Sequence, residues 1–317
     1  MDKLASLRNT YGETLVELGR MYEDIVVLDA DLAISTRTIK FKKEFPKRFF
    51  DVGISEADMM GTAAGFASSG KVVFVSTFAL FASGRAWEQV RSAICYPNLS
   101  VKIVATHGGI SVGADGVSHQ AAEDIALMRV IPNMRLIVPS DAVQTRFFIH
   151  EAYNTPGPFY IRLTKSDLPV IYKRDDRFKL GKANKLRDGK DMAIIACGTM
   201  VYPALKAAER LKKDGIGTEV FDMASVKPID VDAVLEAAKT GRIVTCEDHS
   251  VVGGLGDAVG DVILSEHPCY LSKVGVRNCF AESGSWEELT KKYGLAEEDI
   301  YKAAKRLLRD TKYTKPI

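Results

Sequence analysis

No two cysteines in this chain stand close enough to suggest a redox or metal motif. The five, Cys95, Cys197, Cys246, Cys269 and Cys279, are scattered, with no C-x-x-C and no metal-finger spacing. They read as small core side chains in a reducing, cytoplasmic setting. Net charge is nearly absent: 43 basic and 41 acidic residues leave +2. No basic run marks a nucleic-acid surface. The N-terminal stretch MDKLASLRNTYGETLVELG reads as a charged amphipathic helix and not as a signal peptide. The longest apolar stretch, residues 59–84, is broken at Ser68-Ser69-Gly70-Lys71. Neither piece reaches the roughly 20 apolar residues of a membrane span. Internal repeats and low-complexity tracts are missing too. What remains is a globular protein, with no membrane and no nucleic acid among its expected partners.

The 317 residues allow about two domains of ordinary size. With 46% hydrophobic and 26% charged residues, the chain can bury a large core. Leu4, Leu7, Tyr11, Leu15, Leu18 and Met21 recur at helical spacing over 4–22. A short apolar strand follows at 25–31, then a basic helix or turn at 40–48 and the strand RFFDVG. A helix opened by Ser55 and Glu56 leads to the strand VVFVS (72–76), and a further helix runs through Trp87, Val90 and Ile94. SVKIVATH (100–107), RLIVPSD (135–141) and FYIRLT (159–164) read as more strands, with a helix at 142–153. Strands alternating with helices at this cadence predict an α/β fold with a mostly parallel, doubly wound sheet. Residues 166–190 are charged and weakly patterned, a linker with room for a hairpin. The same cadence then returns, giving domains at 1–165 and 191–317. Gly253-Gly254-Leu255-Gly256 resembles a dinucleotide fingerprint, but the acid expected about 20 residues on is missing.

Two places stand out chemically. Between Met59 and Gly84 the only charge is Lys71, so Glu56 opens its helix towards a dry interior. A carboxyl held there can share a proton with a ring nitrogen. Spacing alone favours a plainer role, capping its own helix with Ser55. The second place is THGGISVGADGVSHQ. His107 ends a buried strand, where ligand-contacting residues of open α/β sheets collect, and Asp115 and His119 face together if that stretch is helical. A metal site of His107, Asp115, His119 and Glu123, a structural loop, and a polar substrate site handling protons all fit these residue types. Phe78 and Phe81 read as plain core from spacing alone.

The segments ISEADMMGTAAGFA, STFALF and THGGISVGADGVSHQ resemble the pyrimidine-binding half of transketolases, and VGGLGDAV is similar to their C-terminal domain. The resemblance runs over nearly the whole chain. It implies two doubly wound domains, a pyrimidine-type domain of thiamine-diphosphate enzymes and a transketolase C-terminal-like domain. Glu56 would then hydrogen-bond the aminopyrimidine of thiamine diphosphate, flanked by Phe78 and Phe81, with Asp31 near the cofactor. His107 and His119 would serve the ketose hydroxyls and the developing alkoxide, and Asp115 would bind a substrate hydroxyl. Ser35, Arg162 and Lys165 would lie near the sugar phosphate, with Lys165 where the family usually carries arginine. A lysine is a point charge and not a bidentate fork.

The Gly-Asp-Gly segment with a following asparagine, which in the family holds the divalent metal, is not found. The metal (Mg2+ or Ca2+) and the diphosphate would therefore be held by a separate N-terminal transketolase subunit. The assembly implied is an α2β2 heterotetramer, with Glu56 and Phe78 left on an apolar surface facing that partner. Related readings are a subunit of a deoxyxylulose-phosphate-synthase-like or 2-oxo acid dehydrogenase β-like enzyme. A non-catalytic assembly protein with the same fold is the reading from another class.

Overall fold

The computed structural model describes residues 3–311. In chain order come β1 (Leu4–Ala5), α1 (Leu7–Met21), β2 (Ile25–Asp29), α2 (Ala33–Thr36), α3 (Ile39–Glu44), β3 (Phe49–Asp51), α4 (Glu56–Ser68) and β4 (Val72–Phe78). Residues 81–95 wind through irregular turns, partly π-helical, around the short α5 (Trp87–Gln89). Next are β5 (Val101–Thr106), a 3-10 turn at Ile110–Asp115, α6 (Asp124–Arg129), β6 (Arg135–Ile137), α7 (Ala142–Asn154) and β7 (Phe159–Arg162). Two short strands, β8 (Leu168–Pro169) and β9 (Asn184–Arg187), lead to β10 (Met192–Ala196), α8 (Val201–Lys213), β11 (Thr218–Asp222) and β12 (Ser225–Lys227). The chain closes with α9 (Val231–Ala238), β13 (Arg242–Ser250), α10 (Leu255–Glu266), β14 (Tyr270–Val276), α11 (Trp286–Lys292) and α12 (Glu297–Asp310).

The first large sheet has the order β12-β6-β7-β5-β4-β2-β3 and is parallel except for β12. The second has the order β14-β13-β10-β11-β9, parallel except for β9. Both carry helices on their faces. That is why central strands such as β2 (IVVLD) and β10 (MAIIA) are buried at every residue and read as unbroken apolar runs.

Several local expectations shift. The first helix starts at Leu7, because Ser6 caps it by accepting from Asn9 N–H and Leu4 pairs in β1 instead. The expected hairpin does not form in 166–190. Leu168–Pro169 pairs with β1, and Asn184–Arg187 extends the second sheet beside β11. Ser225–Lys227, from the second half of the chain, adds antiparallel to β6 in the first sheet. The Gly253-Gly254-Leu255-Gly256 run opens α10, whose N-terminus is already filled. Glu247 accepts from Leu255 N–H (2.7 Å) and Gly256 N–H (2.8 Å), and a Cβ on Gly254 would sit 1.9 Å from that carboxylate. No anion has room there.

Helix α1 lies unusually close to the 33–38 turn. A Cβ at Gly12 would stand 2.6 Å from the Arg37 carbonyl oxygen, a backbone atom that cannot step aside. Alanine favours a helix over glycine by about 1 kcal/mol, but overpacking costs about 1–3 kcal/mol. Gly12→Ala should therefore lower unfolding free energy by about 1–2 kcal/mol in urea titrations. A stabilised variant would show that the turn yields freely.

Candidate active site

The site forms where β2, β4, β5 and β7 end, the edge of a parallel sheet at which ligands collect. Its floor is a group of rings. Phe78, the last residue of β4, stacks on His107 with 3.8 Å between centroids, and on Phe81 at 5.8 Å and 17°. His119 stands edge-on to both phenylalanines, 6.1 Å from Phe78 and 5.5 Å from Phe81. His107 leaves β5 at φ 62°, in the left-handed region, and Asp31 and Arg37 nearby do the same at 61° and 73°. Such backbone is costly for residues with a Cβ and gathers at functional sites.

Glu56 is the first residue of α4 and is buried at 4% exposure. Ser55 makes no capping bond there, so the plainer reading, a carboxylate sharing the cap with Ser55, loses its partner. Both Glu56 oxygens instead accept from Arg85, at 3.2 and 3.4 Å, and the Arg85 guanidinium lies over the Phe81 ring at 4.1 Å. Sequence reasoning missed Arg85. The signal was that it is the first charge after Lys71, at the very end of the apolar run. Glu56 and Phe78 were expected on an open apolar surface. Here both are covered: Glu56 lies under Arg85, and Phe78, 7% exposed, lies under His107.

Asp115 and His119 do not share a helix face. The 3-10 turn stops at Asp115, and Gly116 breaks it at φ 70°. Asp115 reaches Lys165 instead (3.0 Å), whose ammonium also donates to Val112 O. That lysine holds the Asp115 carboxyl below its usual range. Arg8, another residue missed from sequence, donates to Ser35 O (2.8 Å) and Lys165 O (2.9 Å). Its Nε is buried with no partner among the described residues. Ser35 is thus placed beside Arg8 and Lys165, and Asp31 lies exposed at the end of β2, its N–H donating to Asp51.

Arg162, expected near the sugar phosphate, is held at the joint between the domains. It is buried at 5% exposure, ion-paired to Asp124 (2.8 Å), and donates to Ala121 O and Asp248 O. These bonds engage Nε and Nη2 of the guanidinium. Among the described residues, no three His, Cys, Asp or Glu side chains converge on a metal position, so His107, Asp115, His119 and Glu123 do not make a ligand set.

Two family models match: transketolase, pyrimidine binding domain, over residues 3–170, and transketolase, C-terminal domain, over 181–300. The chain belongs to the transketolase family. A putative transketolase C-terminal section from Methanocaldococcus jannaschii is 49% identical over 309 residues, covering 96% of each chain. The 6-deoxy-6-sulfo-D-fructose transketolase subunit SqwH of a Clostridium species is 43% identical, covering 94% of this chain and 93% of its own. Among solved structures, a split gene transketolase described as an inactive beta4 tetramer superposes with a TM-score of 0.88 at 48% identity, covering 96% of this chain and 98% of that one. This transketolase chain is accordingly similar along its whole length to subunits of split enzymes, and the dehydrogenase-like and synthase-like readings are not favoured. Its two α/β domains are the pyrimidine-binding and C-terminal domains of the family.

Burial, helped by the Arg8 and Lys165 charges, pushes the His107 imidazole down to about 3. Its folded value lies below the unfolded one, near 6.5, so the unfolded chain takes up the proton first. Stability contributed by the neutral ring is complete above about pH 6.5 and falls as pH drops towards 3. Between about pH 7.5 and 5, the native chain should lose about 1–2 kcal/mol more unfolding free energy than His107→Asn in denaturant titrations. Equal losses would mean that the imidazole is charged in the fold.

Proposed function

We propose that this chain is the pyrimidine-side subunit of a two-polypeptide transketolase, moving a two-carbon ketol unit from a ketose phosphate to an aldose phosphate. The observation that carries this reading is the trio of Glu56, Arg85 and Phe81. The guanidinium is flat, bears N–H donors, stacks on Phe81 at 4.1 Å and donates to Glu56 at 3.2 Å. An aminopyrimidine is likewise flat and bears N–H donors, and the Arg85 contact supports a site that accepts such a ring. The residues fit the ring end of thiamine diphosphate, with Glu56, Phe78 and Phe81 holding it and Asp31 nearby. When bound, the cofactor supplies the carbanion-stabilising chemistry. The diphosphate and its Mg2+ or Ca2+ are assigned to the N-terminal partner subunit.

The chain's own groups then have separable tasks. Glu56 shares a proton with the pyrimidine ring nitrogen through a carboxylate kept out of water. His107 bonds Thr106 through Nδ1 (2.8 Å) and His119 bonds Ser118 through Nδ1 (2.9 Å). Each keeps Nε2 for a sugar carbonyl or hydroxyl, the proton-handling work that histidine suits. Asp115, steadied by Lys165, reads the configuration of a substrate hydroxyl. Lys165, Arg8 and Ser35 meet the anionic end of the sugar, and the unpartnered Arg8 Nε supports that placement. Two such chains would join two partners as α2β2; a similar protein solved as an inactive beta4 tetramer supports self-association without turnover. No helix of the described residues is long and apolar enough to cross a membrane. The five unpaired cysteines agree with a cytoplasmic setting.

Reconstitution with the N-terminal subunit and a ketol-transfer assay test the reading. Glu56→Gln should lower kcat by roughly 100- to 1000-fold, the usual loss for one aligned hydrogen bond in a water-excluded site; near-normal turnover at saturating cofactor would sink the assignment. Lys165→Ala should raise KM for a phosphorylated donor and spare an unphosphorylated one, the mark of lost uniform binding. Equal effects on both donors would remove Lys165 from the anion site.

A further inference from the structure

The loop that carries His107, Asp115 and His119 is held from the second domain. β13 ends in Glu247, Asp248, His249 and Ser250, and the last three all bond to the first domain. Ser250 N–H donates to Ala122 O (2.7 Å), and Ala126 N–H donates to His249 Nε2 (3.3 Å). Asp248 Oδ1 accepts from Ile110 N–H at 3.1 Å, and its carbonyl accepts from Arg162 at 2.8 Å. Gly109 completes the fit. It holds φ 75°, bridges Ala121 in both directions (2.8 and 3.2 Å), and has no room for a side chain, since a Cβ would stand 2.0 Å from Asp248 Oδ2. Gly108 is pinned on its other side by Leu163 O (3.0 Å), and a Cβ there would strike Arg162 at 2.7 Å.

Ile110 is three residues from His107 and opens the 3-10 turn that ends at Asp115. Its N–H is the first donor of that turn, and a carboxylate of the other domain receives it. Asp248 is 2% exposed, and its Oδ2 has no hydrogen-bond partner among the described residues. Keeping such an oxygen dry is costly, so the side chain is not explained by domain adhesion alone. The Asp248 carbonyl, the Ser250 N–H and His249 Nε2 already bond across to the first domain, and only the carboxylate reaches the start of the 110–115 turn.

We propose that Asp248 is a positioning residue for the ketol-transfer site: its carboxylate anchors the Ile110 N–H and so fixes the angle at which His107 leaves β5 and the place where the 110–115 turn begins. The second domain thereby helps set the geometry of a substrate loop that belongs wholly to the first. The kinetic part of this inference rests on the transketolase reading above; the structural part does not.

Hydrogen–deuterium exchange on the full chain reads the anchor directly. Asp248→Ala should speed exchange in the peptide over 108–112 by roughly ten-fold or more, while β10 and α10 keep native protection. In the enzyme reconstituted with its partner, the same variant should lower kcat by roughly 10- to 100-fold with thiamine diphosphate affinity little changed, as expected for a displaced loop. Asp248→Asn keeps an oxygen for Ile110 and should restore both readouts to within about three-fold of native. Unchanged exchange in Asp248→Ala, exchange raised evenly through both domains, or an asparagine variant as impaired as the alanine one would each overturn the proposal. Should Asp248→Ala not fold, Asp248→Asn decides alone: native-like protection over 108–112 with native-like kcat supports the acceptor role, and faster exchange there refutes it. If the native reconstituted enzyme shows no ketol transfer, the functional reading falls while the exchange comparison still judges the anchor.

Discussion

The His107 ring lies face to face with Phe78, 3.8 Å between centroids, and the rest of the site is arranged around that contact. It joins the ends of two adjacent parallel strands, β4 and β5, through side chains and not only through backbone. A stacked pair of this kind contributes about 0.5–1.5 kcal/mol beyond its buried area. The stack also covers the imidazole and keeps it uncharged beside Arg8 and Lys165. Charge would be repelled there; a neutral ring is tolerated and keeps one nitrogen free. Phe81 extends the stack away from His107, and Arg85 and Glu56 follow it outwards. The apolar floor and the polar rim are thus one continuous set of contacts.

Much of this was legible in the sequence, for identifiable reasons. Buried parallel strands need apolar residues on both faces, so β2, β4, β5 and β10 declare themselves as unbroken runs. Glu56 stood out because it opens a helix that runs into a long stretch with a single charge, where an acid must be either paired or functional. The histidine loop stood out through its glycines, which mark close backbone approach, and Gly109 against Asp248 is the plainest case.

What escaped has a common cause. Arg8 meets Lys165 across 157 positions and Arg85 meets Glu56 across 29, and no local pattern announces such partners. Arg162 was hard to read because a strand end beside a glycine loop suits a ligand contact or a domain joint equally well. Its bonds to Asp124, Ala121 and Asp248 put it at the joint between the domains. The irregular turns over 81–95 depart from the ordinary helix that the spacing of Trp87, Val90 and Ile94 predicts. β12 was invisible because three residues carry too little periodicity to be read as a strand.

That short strand bears on how such a protein can be rebuilt. Ser225–Lys227 closes one edge of the first sheet while covalently belonging to the second domain. A chimera that imports a foreign C-terminal domain would also import a new edge for its host's sheet. Compatibility would then be decided by three backbone positions against β6 before any side chain near the rings is considered. An unmatched edge would leave β6 with open hydrogen-bonding groups, the kind of surface that recruits stray strands from other molecules. Modular as the two halves look in sequence, they share one boundary element, and grafting one without the other trades a fitted seam for an aggregation hazard.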